Sequence, residues 1–162
     1  MDLKQAVRTT LNQSDFIVNG YLSDLTPEQM FARSCPGLNH IAWQLGHLIQ
    51  SERYLVNQAF PGKMDSLPEG FEARHKKETA GNDDPKSFLS KDDYLRVMKQ
   101  VREQTLRALD SMQPADFDKP VEKVPPFCKS AGDLMLFIGS HWMMHAGQWA
   151  AIRRSLGKPP LF

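Results

Sequence analysis

Cysteine is scarce in this chain of 162 residues: Cys35 and Cys128 are too few and too far apart for a disulfide framework or a Cys-type zinc site, and both are expected as reduced thiols. An excess of charge is also missing. Twenty basic residues stand against 19 acidic ones, for a net charge of +1, so no global field favours a polyanion and nucleic acid is not an expected partner. No apolar run reaches the roughly 18 residues a bilayer demands, and Met1-Asp2-Leu3-Lys4-Gln5 does not lead from a charged region into an apolar stretch. These absences point to a soluble, unexported protein, expected in the cytoplasm with no membrane partner. Strand-like alternation and internal repeats are lacking too. With 41% hydrophobic residues the chain can bury a core, and one domain spanning 1–162 is expected.

What the chain does contain is helical periodicity. Leu3, Val7, Leu11, Phe16-Ile17-Val18 and Tyr21-Leu22 predict a first helix from Asp2, its cap, to about Leu25. Thr26-Pro27-Glu28-Gln29 has the form of a capping box with proline at N1, and predicts a short helical turn. A second long helix is expected from about Leu38 or Asn39 to Phe60, ended by Pro61-Gly62. Its core stripe is Ile41, Leu45, Leu48 and Leu55, flanked by a polar stripe of His40, Gln44, His47 and Ser51.

Residues 62–90 show no sustained periodicity, and Arg74-His75-Lys76-Lys77-Glu78 is a charge run in which His75 is expected to be solvated. Antiparallel neighbours need only about 2–8 connecting residues, so this stretch predicts a crossover along a bundle or a functional loop, with Phe71 as the apolar contact of a lid. Ser90 caps a third long helix running to about Met112, and Ser130-Ala131-Gly132-Asp133 opens a fourth that Gly157 and Pro159-Pro160 end. Arg153 and Arg154 suit the negative end of that helix. The fold class expected is all-α, a four-helix bundle with a long crossover between its second and third long helices.

The chemistry sits in Gly139-Ser140-His141-Trp142-Met143-Met144-His145-Ala146-Gly147-Gln148. Four residues apart on a helix, His141 and His145 lie one turn apart on one face, in a stripe with Leu134, Ile138, Gln148 and Ile152. Two unpartnered buried imidazoles cost about 1–3 kcal/mol each, and a metal would satisfy both. A third ligand should come from another helix. His40 and His47, seven residues apart and so about 10 Å apart along the axis, cannot both ligate one ion, and periodicity does not choose between them.

The segments Asn39-His40-Ile41-Ala42-Trp43-Gln44-Leu45-Gly46-His47-Leu48 and His141-Trp142-Met143-Met144-His145-Ala146-Gly147-Gln148, followed by Arg153-Arg154-Ser155-Leu156-Gly157-Lys158-Pro159-Pro160, resemble the DinB-like family of four-helix-bundle metalloproteins. The resemblance implies His47, His141 and His145 as metal ligands and leaves His40 in a supporting or structural role. It further implies an up-down-down-up bundle, a homodimer, one divalent transition metal ion per chain, usually zinc or nickel, and in some members a low-molecular-weight thiol cosubstrate.

Three histidines leave coordination positions open, as in catalytic sites. The expected function is a metal-dependent enzyme, an S-transferase or hydrolase, that activates a small thiol or water against a small electrophilic substrate. The rival expectation is a non-catalytic, dimeric metal-binding stress-response bundle. Gln148, Gln44 and Ser51 are candidates for hydrogen bonds to the ligand imidazoles. Cys128, near the start of the last helix, is a candidate for a lowered thiol pKa or, alternatively, a small packed residue. Glu52 is turned away from His47 by about 500° of helical rotation, so no general base is assigned. Trp43, Trp142 and Trp149 are expected to fill the core.

Overall fold

Helix boundaries follow the capping chemistry. The structure, a computed structural model, describes residues 2–161. Asp2 accepts a hydrogen bond from Gln5 N at 2.7 Å and opens α1 (Leu3–Ser23). Thr26 and Gln29 exchange backbone-to-side-chain hydrogen bonds ahead of the 3-10 turn Glu28–Phe31. Helix α2 (Ile41–Ala59) begins slightly later than expected because His40 is its N-cap: the residue is extended, and its Nδ1 accepts the Trp43 N–H at 3.1 Å. Three short turns interrupt the long connection, α3 (Phe71–Arg74) and the 3-10 turns Lys77–Thr79 and Pro85–Ser87. Ser90 caps α4 (Lys91–Ser111), and Ser130 with Asp133 forms a complete capping box on α5 (Ala131–Ser155). At the end of α5, Gly157 sits at φ +74°, and the N–H groups of Gly157 and Lys158 return to the carbonyls of Arg154 and Arg153. That left-handed residue with its paired bonds closes the helix, and only glycine adopts it without steric cost.

The four long helices form the bundle expected from the sequence, with no strand among the described residues. Helix α1 packs along α5, while α2 lies against both α4 and α5. The core is built from Val7, Leu11 and Val18 of α1, Leu45, Leu48 and Val56 of α2, Val97, Val101 and Leu109 of α4, and Leu134, Ile138, Trp142 and Trp149 of α5. Trp43 is buried as well, as expected of all three tryptophans.

One polar group runs through this core. Arg102 of α4 donates to both carboxylate oxygens of Glu52 at 2.9 and 3.0 Å and to Leu11 O of α1 at 2.8 Å, and it pairs with Asp15 at 2.9 Å. Glu52 also accepts from Thr105 Oγ1 and from Trp142 Nε1, both at 2.6 Å. A single buried ion cluster thus ties all four long helices together, and every oxygen of Glu52 is occupied.

Two expectations are corrected. The inner stripe of α5 is centred on Ile138, Trp142, Ala146 and Trp149; His141, His145 and Gln148 lie on its half-buried flank. Each is one position before a buried residue, and one position is about 100° of rotation. Arg153 and Arg154 stand in the last turn of α5 as expected, and Arg153 is in addition buried and bonded to Asp24 and to Tyr21 O. Its guanidinium, with Lys158, holds the Asp24 carboxyl down at about 2. His75, expected in solvent, is instead 1% exposed, with Nδ1–H donating to Phe71 O at 2.7 Å and Nε2 accepting from the Tyr94 hydroxyl.

That burial reflects how the crossover runs. It retraces α2, with residue numbers rising as those of α2 fall. Asp65 O accepts from Arg53, Glu72 pairs with Arg53, His75 O accepts from Gln50, Lys76 O and Thr79 Oγ1 accept from Trp43 Nε1, and Asn82 O accepts from His40 Nε2. Phe71, 1% exposed, is part of this docked strap rather than the tip of a lid. At the centre the His75 ring lies flush on α2 at Gly46, where an added Cβ would come within 2.2 Å of ring atoms.

Candidate metal centre

Immediately beyond Gly46, His47 turns out of the core toward α5. Its ring lies flat on that of Trp43, one helical turn back, with centroids 5.2 Å apart and planes within 4°. Trp43 is itself held from the other side by the crossover, through the two hydrogen bonds from its Nε1. Across from it His141 stacks on Phe137 at 5.3 Å and 13°, again one turn back along its own helix.

His145 is oriented by a hydrogen bond. Its Nδ1–H donates to Gln44 Oε1 at 2.8 Å, and the same oxygen accepts Trp149 Nε1–H at 2.9 Å. Gln44 is fully buried, and its amide nitrogen bonds Asn39 O, which leaves only its oxygen for these two donors. The His145 tautomer is thereby fixed with its proton on Nδ1 and its lone pair on Nε2.

The three rings converge. His47 lies 5.3 Å from His141 and 5.4 Å from His145 between centroids, and His141 lies 5.1 Å from His145. One nitrogen from each ring can be chosen so that all three lie within 4.8 Å of one another, and this is the one such group of potential ligands among the described residues. Burial lowers the pKa of all three. His141 goes down to about 3, by burial first and then by its two neighbours, and His145 goes down to about 4, by burial and then His47. At neutral pH the rings are uncharged, which is the form that binds metals.

The donor set fits a divalent transition ion. Three neutral imidazoles suit zinc and nickel, the Gln44 bond to His145 is of the kind that orients metal-bound histidines, and the rings of His47 and His141 have no hydrogen-bond partner of their own among the described residues. His40 is excluded from the group. Both its nitrogens are used, one capping α2 and one bonded to Asn82 O.

The cluster opens into a cleft of about 520 Å³ lined by His47, Gln50, Ser51, Arg53, Tyr54, Leu55, Glu72, Lys76, Pro125, Phe137 and His141. Sequence reasoning included Gln44 and Ser51 as polar flank and missed Trp43 and Phe137 as supports of the ligand rings. The i to i+4 spacing of an aromatic before each histidine was the signal available for both. Gln148, also expected to support the site, is half-buried with no hydrogen bond to His145. Cys128 is a buried thiol whose pKa is raised by burial and by Asp133, contrary to an activated cysteine. Glu52 is turned away from His47, as expected, and is buried in the core.

These features define a class, a helical bundle with three histidines gathered from its second and last long helices beside a cleft. The chain belongs to the DinB superfamily, whose family model matches residues 17–149. Among solved structures, one described as the crystal structure of the conserved protein of locus from Enterococcus faecalis is similar with a TM-score of 0.70, over 98% of this chain and 99% of that one, at 13% identity. At that identity the likeness concerns the fold alone. No curated protein matches.

Proposed function

We propose that this protein is a metal-dependent enzyme in which His47, His141 and His145 hold one divalent ion, zinc or nickel, and a small thiol or water is activated there against a small electrophilic substrate. The observation carrying this reading is the convergence of three neutral imidazoles, within 4.8 Å, beside an open cleft that His47 and His141 line. His47, His141 and His145 would hold such an ion with coordination positions left free, and the chemistry it would supply there is acidification of a water or thiol.

The chain's own residues supply orientation and seclusion. Trp43 and Phe137 hold the planes of His47 and His141, and Gln44 keeps the His145 lone pair on Nε2. The half-buried setting weakens competition from protons, because the depressed pKa values keep the ligands neutral well below pH 7. No carboxylate among the described residues joins the three histidines as a further potential ligand, and Glu52 is committed to Arg102, Thr105 and Trp142. No side-chain base is therefore assigned among the described residues. A single domain acting as a homodimer completes the proposal; exposed Phe16 on α1 and Met143 and Met144 on α5 supply apolar surface for such an interface.

Protein purified from metal-replete cells is expected to carry about one ion per chain by elemental analysis, and His141→Ala to lose it. Full metal content in that variant would defeat the ligand assignment. A panel of low-molecular-weight thiols and generic electrophiles, with and without metal, then tests catalysis. Absence of metal-dependent turnover across it would favour the second reading, a non-catalytic metal-binding bundle, which the commitment of Glu52 to the core supports.

A further inference from the structure

The cleft beside the three histidines is chemically two-sided, and its sides come from different elements. Helix α5 and the loop before it contribute Phe137 and Pro125, and α2 adds Leu55. Phe127, two residues beyond Pro125, stands edge-on to Phe137 at 4.9 Å and 72°, so Phe127, Phe137 and the His141 ring form one aromatic row leading outward from the site. Phe127 is 63% exposed, an unusual position for a phenylalanine that no core contact demands. Opposite them the crossover contributes Glu72 and Lys76, and α2 contributes Arg53. Glu72 is neutralised by Arg53 at 3.3 Å, but Lys76, exposed and lining the same cleft, has no ion-pair partner among the described residues. This charged side therefore carries one uncompensated positive charge. Lys76 is fixed in place by its backbone, whose carbonyl accepts the indole N–H of Trp43 stacked on His47.

A volume of about 520 Å³ suits a small molecule rather than a peptide or a helix. We infer that the cleft selects an aryl-bearing anion, with the aromatic group laid against the Phe127–Phe137 row and the negative group directed to Lys76. The inference rests on the proposed use of this cleft as the substrate site and names the substrate class for it. Offset or edge-on aromatic contacts contribute more than an ion pair at an exposed lysine, so the row sets affinity and the lysine sets the preferred sign of charge.

The test uses three probes on the full-length protein, metal-free and metal-loaded: 2-naphthalenesulfonate, cyclohexanesulfonate and 2-naphthylmethylammonium. Sulfonates are chosen because they compete poorly for a metal ion, so binding reports on the walls. The naphthalene sulfonate is expected to bind most tightly in both forms of the protein. Phe127→Ala should weaken both naphthalene probes about fivefold and leave cyclohexanesulfonate unchanged. Lys76→Gln should weaken the sulfonates about threefold and leave the cation no weaker. Both positions are exposed, and chemical-shift changes at Phe137 and Lys76 in the unmodified protein give a second measure that needs no variant. The inference is overturned if the cation binds as well as the anion, if neither variant changes any affinity, or if the naphthalene sulfonate fails to bind. Because binding is read in the metal-free protein as well, these outcomes are independent of elemental analysis, on which the metal assignment stands or falls.

Discussion

Gln44 shows how much a single side chain decides here. Its oxygen accepts from His145 Nδ1 and Trp149 Nε1 at once, so it links a proposed ligand to the deepest aromatic of α5. Gln44→Leu removes the acceptor and strands two buried donors. Metal affinity is expected to fall about 10–100-fold, measured by competition with a chromogenic chelator. Gln44→Glu keeps an acceptor in place and should retain most of the affinity; equal loss in both variants would contradict an orienting role. The residue was legible as part of a polar flank on α2, because glutamine among leucines at helical spacing stands out. Its partner was not. That His145 meets it, rather than the nearby Gln148, depends on how α5 is rotated against α2.

At the scale of elements, the crossover is the part that sequence reasoning described least well. Its few buried residues, Met64, Phe71, His75 and Phe88, are spread over a polar stretch with no helical or strand period, so no pattern announces them. They dock because α2 presents a gap at Gly46 and donors at Trp43, Gln50 and Arg53. Gly46→Ala would drive a Cβ into the His75 ring, which is bonded at both nitrogens and cannot swing away. The expected cost is about 1–3 kcal/mol in urea unfolding, with faster hydrogen exchange across 71–79. Unchanged exchange in that segment would show that the contact does not hold the crossover. The helix starts and stops, by contrast, were readable to within a few residues at Asp2, Ser90, Ser130 and Gly157, since each cap is a local bond between neighbours in the chain.

Across the whole molecule, the Glu52–Arg102 pair joins all four long helices. Arg102→Met leaves Glu52 buried without its cation and is expected to cost about 3–5 kcal/mol. Replacing both residues by apolar ones of similar size should restore most of that stability. A single variant as stable as the wild type in urea would remove the cluster from the account of the fold. The pair's neighbour Asp15 gives stability a pH dependence. Burial pushes its carboxyl up to about 6, Arg102 opposing and Glu52 assisting. A carboxyl raised in the folded state holds its proton more tightly there than in the unfolded chain, so it makes stability fall as pH rises from about 4 to about 6. His75, pushed down to about 4 by burial, acts oppositely: its contribution is complete above about 6.5 and is lost as pH falls toward 4. Asp15→Asn removes the first effect and keeps the second, so the variant should gain on the wild type as pH rises through that window. A constant difference between their urea midpoints would contradict the assignment.

By itself the sequence determined the helices, their caps, the bundle class and the two histidine segments, because helical period and capping are set by residues within a few positions of one another. The choice of His47 over His40 needed more than period and came from resemblance; in the structure His47 lies with His141 and His145, while His40 spends its two nitrogens on the cap and on Asn82. Tertiary structure alone decided the rest. The burial of His75, the sharing of Gln44, the ring supports from Trp43 and Phe137 and the two-sided cleft all depend on helix rotation and on where a pattern-free crossover comes to lie, and both are fixed by contacts between residues far apart in the chain.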